Sequence, residues 1–205
     1  VIVCLWPFVS ARAAKSLSLV AAGVLAVAAI ALWSAMGSDG AFKFATNFPL
    51  LPQFALNAVS APLFALAGIV GFAAVWQASI ADMRGAKLYC LMLMVMLGGL
   101  AGAFASTNLI WIYAFHEFAL IPTFVAMNLW GGAGRRMAAM QMAVYLTLGA
   151  LVSLIGIIAL YAQAGAESFG LADIDVALVA NSISADWQSY IFGLLLFGLG
   201  TLVSL

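Results

Sequence analysis

The sequence predicts an all-α membrane protein, a polytopic bundle of transmembrane helices. Three observations carry that reading: the composition, the length of the apolar runs, and the placement of the few charges. Hydrophobic residues make up 67% of the 205 and charged residues 7%, with a mean hydropathy of +1.19. A soluble domain carries about 25% charged residues. So few charges cannot build a water-facing surface, and the excess apolar surface must face lipid.

A helix needs about 20 apolar residues to cross the hydrocarbon core. Runs of that kind predict helices over 17–36, 57–77, 88–107, 109–130 and 138–162. Residues 1–9 read as the tail of a helix and 188–205 as the start of another. The chain opens on Val1 without a Met and closes inside the apolar run Ile191 to Leu205, so a piece of a longer protein is expected. Residues 17–36 also have the length of a signal peptide. They lack a clear basic-then-apolar start or small-residue cleavage pattern, and many spans follow. Trp76 closes its span as an interfacial anchor. The connection near Thr107-Asn108 is short enough to require a tight hairpin between antiparallel helices. Residues 163–187, with Gly165, Gly170 and a turn at Ser182 and Ser184, read as an extramembrane loop carrying a short surface helix.

The charges alternate between loops. Arg12, Lys15, Arg84, Lys87, Arg135 and Arg136 are six of the seven basic residues, and they fall in loops one, three and five. Asp39 and Lys43 fall in the second, Asp82 in the third, and Glu167, Asp173, Asp175 and Asp186 in the sixth. Short loops rich in Lys and Arg stay in the cytoplasm. Loops 10–16, 78–87 and 131–137 are therefore predicted to be cytoplasmic, in the inner (plasma) membrane of a bacterium. Seven basic residues balance seven acidic ones, which argues against nucleic acid as a partner. Cys4 and Cys90 lie in apolar stretches and read as small helix residues, with neither a disulfide nor a metal site expected.

One acidic group remains in the middle of a span. Glu117 stands beside His116 in Tyr113-Ala114-Phe115-His116-Glu117-Phe118-Ala119-Leu120-Ile121-Pro122. About nine residues into its helix, it lies ~14 Å deep. A charge there costs at least ~2.5–3.5 kcal/mol, so such residues are seldom incidental. Removal from water favours the neutral carboxyl, which suits Glu117 to carry a proton; the bland alternative is a neutral side chain bonded to a neighbouring helix. Pro122 lacks the N–H that would bond the Phe118 carbonyl, and a helix break is expected there. Histidines ordinarily titrate near physiological pH, so His116 is a candidate relay; it equally fits a neutral histidine bonded to a carbonyl. Gln141 and Tyr145 share one helix face. They fit a hydrated proton path or polar contacts between helices. Gly98-x-x-x-Gly102, with Gly99, signals close helix packing. Met92, Met94 and Met96 read as lipid-facing or core filler.

Glu117-Phe118-Ala119-Leu120-Ile121-Pro122 resembles the E-x-x-L-I-P signature of the antiporter-like subunits of respiratory complex I, subunit M (chain 4) above all. Leu129-Trp130-Gly131-Gly132, Arg135, Ala138-Ala139, Tyr145, Leu148-Gly149 and Ala159-Leu160-Tyr161 follow in an order similar to that family's. Upstream, Asn57-Ala58-Val59-Ser60-Ala61-Pro62-Leu63 looks like its "D-G-I-S-L-P-L". The resemblance implies an inverted-repeat antiporter-like fold, of which this chain would hold the N-terminal part. It implies that Glu117 is the family's fifth-helix glutamate. It also implies departures: the sixth-helix lysine is Gln141, the seventh-helix lysine is Leu202, its proline is Ser204, and the usual aspartate is Asn57.

The function implied is a membrane-arm subunit of NADH:quinone oxidoreductase that couples electron transfer in partner subunits to proton translocation. No flavin, nucleotide or iron–sulfur motif is present in the sequence. No cofactor or metal is expected in this chain; NADH, flavin, iron–sulfur clusters and quinone would belong to partner subunits. The expected partners are other membrane-arm subunits, the lipid bilayer and protons. The alternatives are a large subunit of a multisubunit cation/proton antiporter, a membrane-bound hydrogenase, or a non-pumping spacer of the membrane arm.

Overall fold

The computed structural model describes residues 10–36, 42–44, 54–78 and 84–202. Among them are seven helices and two short strands: α1 (Ala11–Ala35), β1 (Phe42–Phe44), β2 (Phe54–Leu56), α2 (Ser60–Gln77), α3 (Ala86–Ala105), α4 (Leu109–Trp130), α5 (Arg135–Ala164), α6 (Leu171–Ala180) and α7 (Ala185–Leu202). Five of the described helices, α1 to α5, are long and apolar enough to cross a membrane. The chain is the helical membrane bundle that its composition predicts. Residues 1–9, Asp39, Asp82 and Ser204 lie outside the described residues, as do the side chains of Lys43 and Leu202.

Local chemistry sets the helix ends. Ser10 caps α1 by accepting the Ala13 N–H, which starts the helix well before residue 17. Asn57 does the same for α2: its Oδ1 accepts the N–H groups of Val59 and Ser60, while the Ser60 hydroxyl accepts the Asn57 N–H. Residues 57–59 are therefore a cap outside the helix. α3 stops at Ala105 because Ser106–Asn108 turns away, and Asn108 Oδ1 then accepts from Ile110 and Trp111 to begin α4. α5 runs from Arg135 to Ala164, longer at both ends than 138–162. It ends at Gly165 with φ +67°, a left-handed conformation that glycine adopts without a Cβ penalty. The 163–187 stretch holds α6 and the first turn of α7.

Most of the spanning helices pack on their sequence neighbours, and α5 packs on α7. Lipid tails are as apolar as leucine, so tight backbone approach has to supply the attraction. Small residues provide it. A Cβ at Gly68 of α2 would lie 2.9 Å from Ala26 Cα of α1. At Gly99 of α3 it would lie 2.9 Å from the Phe115 carbonyl oxygen of α4. At Gly198 of α7 it would lie 2.5 Å from the Ser153 nitrogen of α5. Gly98, expected to share in this packing, has nothing within 4 Å; the close pair is Gly99 and Gly102. Met92 and Met94 pack into the α1–α3 core, and Met96 Sδ lies 3.4 Å from the Thr123 hydroxyl oxygen.

Contacts sort the turns into two ends. At one end Lys15 Nζ donates to the carbonyls of Trp76, at 3.2 Å, and Ala78, a cation at the negative end of α2. At that end, too, Trp130 Nε1 donates to the Arg84 carbonyl at 2.9 Å, and its ring meets Tyr89 edge-on. At the other end β1 and β2 pair antiparallel, with Lys43 opposite Ala55. β2 reaches the α3–α4 turn through Phe54 and Ser106, and Asn108 bridges to Gly170. The N–H of Leu109 donates to the Phe169 carbonyl and that of Leu171 to the Thr107 carbonyl, both at 2.9 Å. Ile174 and Ala177 of α6 bury themselves against Ala164, Leu160 and Tyr161. The strand pairing and the bonds that join these turns have no signal in the sequence.

Candidate functional site: a carboxyl in the α4–α5 cleft

Glu117 is the ninth residue of α4, far from both ends of the helix. Its side chain is 31% exposed in this chain, yet its Oε1 is buried and has no hydrogen-bond partner among the described residues. His116 Nδ1 stands 3.6 Å from that oxygen, too far for a hydrogen bond but near enough to pair if the imidazole is protonated. Although neighbours on a helix diverge by about 100°, both side chains swing into the same space. Tyr113 lies one turn earlier on the same face.

Beside the carboxyl is a cavity of about 210 Å3. Glu117, Leu120, Ile121 and Phe124 of α4 form one wall; Met142, Ala143, Leu146 and Thr147 of α5 form the other. The geometry brings together Glu117 and His116 and leaves out the other two sequence candidates. Gln141 and Tyr145 do not line the cavity, and both are exposed on α5, Tyr145 to 49%. One step along a helix turns the side chain by about 100°, so Met142, Ala143, Leu146 and Thr147 face α4 in their place. Thr147 is the polar group that sequence reasoning passed over. An apolar α5 offers no periodic signal for which face meets α4.

Pro122 is buried within α4, and the helix runs through it unbroken from Leu109 to Trp130. The expected helix break is not there. Proline removes one backbone donor, and the surrounding turns hold the helix together; Thr123 Oγ1 donates to the Ala119 carbonyl at 3.0 Å. What remains of the expectation is a Phe118 carbonyl, one residue past Glu117, without its usual helical donor.

Residues 106–205 match the family model described as NADH:quinone oxidoreductase/Mrp antiporter, transmembrane. The match holds Glu117, the cavity and the α5–α7 contact together. NAD(P)H-quinone oxidoreductase chain 4 of Gloeobacter violaceus is 29% identical over 166 residues, 78% of this chain and 31% of the relative. A subunit of respiratory complex I from Thermus thermophilus, solved with bound NADH, superposes with a TM-score of 0.74 at 25% identity, over 91% of this chain and 39% of that one. A subunit of the Mrp complex from Dietzia sp. shares the fold, with a TM-score of 0.70 at 16% identity over 93% of this chain and 36% of the other. The chain thus spans about a third of the length of the relatives it matches.

Proposed function

We propose that this chain is part of a membrane-arm subunit of a proton-translocating NADH:quinone oxidoreductase, and that Glu117 carries the proton within it. The observation that carries the reading is a carboxyl deep in a spanning helix, at the edge of a cavity between two helices, with one oxygen buried and unbonded among the described residues. Such a group needs a purpose to offset its insertion cost. Similarity to chain 4 of NAD(P)H-quinone oxidoreductases supports the oxidoreductase context. In this reading, partner subunits hold NADH, flavin, iron–sulfur clusters and quinone, and this chain contributes no redox centre. His116, 3.6 Å from the carboxyl, is the nearest relay group. Gln141 and Tyr145 lie on the exposed face of α5, outside the lining of this cavity. The loops bearing Arg12, Lys15, Arg84, Lys87, Arg135 and Arg136 face the cytoplasm of a bacterial inner membrane.

A cation/proton antiporter subunit is the second reading, favoured by the Mrp half of the family description. Affinity purification of the tagged, full-length protein from its native membrane separates the two. Co-purification of NADH:quinone reductase activity supports the first. Recovery without that activity, in membranes that show cation-dependent proton antiport, supports the second.

A further inference from the structure

Hydroxyls on these helices turn back onto their own backbone. Ser16, Ser34, Ser153 and Thr201 donate to the carbonyl three residues earlier, and Thr123 and Ser189 to the one four earlier. Such back-bonding is the default for a hydroxyl with no other partner in an apolar setting. Thr147, near the middle of α5 and exposed at the open side of the cleft, departs from it: its hydroxyl makes no hydrogen bond among the described residues. It lines the α4–α5 cavity opposite Glu117, whose Oε1 is buried and likewise has no hydrogen-bond partner among the described residues. The rest of the lining is apolar.

A cavity fills with water when it is roomy and offers polar partners; it stays dry when it is apolar. This one, a cleft open on one side in this chain, has about 210 Å3, against a share of about 30 Å3 for a water molecule in the liquid. It carries two polar groups that do not reach each other. We infer that Thr147 is the polar counter-group of Glu117: water held between α4 and α5 bridges the Thr147 hydroxyl to the Glu117 carboxyl and orients that carboxyl in place of a cationic side chain. Thr147 is a positioning residue, acting through water. The value of the bridge to proton movement rests on the reading of Glu117 as proton carrier; the bridge itself does not.

The test reads the carboxyl directly. Infrared difference spectra of the purified, full-length protein in lipid nanodiscs identify the Glu117 carboxyl band as the one lost in Glu117→Gln. The band is then compared in wild type, Thr147→Val, Thr147→Ser and Ala143→Val, the last narrowing the cavity without touching the hydroxyl. The expected result is a shift to higher frequency in Thr147→Val and Ala143→Val, as the bridge is lost, with Thr147→Ser at the wild-type position. An unchanged band in both valine variants overturns the bridge and leaves a dry cavity. Equal shifts in Thr147→Val and Thr147→Ser also overturn it, because packing and not the hydroxyl would then be the cause. None of these outcomes depends on whether the complex pumps.

Discussion

Glu117 combines depth in a membrane helix with a buried oxygen that has no hydrogen-bond partner among the described residues. A deep charge costs about 2.5–3.5 kcal/mol or more, so such a side chain is seldom kept without a role. Asn57 shows the opposite kind of economy. Where the related pattern has an aspartate, it accepts two backbone N–H groups and starts α2. Asn57→Ala is expected to destabilise the protein by about 0.5–2 kcal/mol, read as a lower thermal unfolding midpoint in detergent. Asn57→Asp should hold the wild-type midpoint, since either side chain supplies the accepting oxygen.

Among the elements, the helices were legible in the sequence, and the way they face each other was not. Hydropathy marks an apolar helix but not its inner side, because lipid and core ask for the same residues. Hence Gln141 and Tyr145 stand out in the sequence of α5, while Thr147, which lines the cavity with Glu117, does not. The β1–β2 pairing was also invisible: strands of three residues are too short for alternation to register. The glycines of α3 give a sharp test of facing. Gly99→Ala should cost about 1–3 kcal/mol by pressing on the Phe115 carbonyl. Gly98→Ala, with open space around it, should be neutral or stabilising by up to about 1 kcal/mol from helix propensity. Similar losses at both positions in thermal unfolding would contradict the packing described.

At the scale of the whole molecule, two sets of hydrogen bonds divide the turns between the membrane faces: Lys15 and Trp130 at one end, and the β2, Ser106–Asn108 and Phe169–Leu171 layer at the other. The alternation of basic loops in the sequence divides them the same way. Gly132→Cys and Ser182→Cys, in a protein lacking Cys4 and Cys90, should therefore react with a membrane-impermeant maleimide from opposite sides of sealed vesicles. Labelling of both from one side would contradict the bundle topology.

The central claim is that the intramembrane carboxyl couples electron transfer to proton movement. Its most direct measurement is the ratio of protons translocated to electrons transferred by the intact complex in proteoliposomes, wild type against Glu117→Gln. The account predicts a sharp fall in the ratio or in NADH-to-quinone turnover, with subunit composition preserved. An unchanged ratio and an unchanged rate would contradict it and make this part of the membrane arm a spacer.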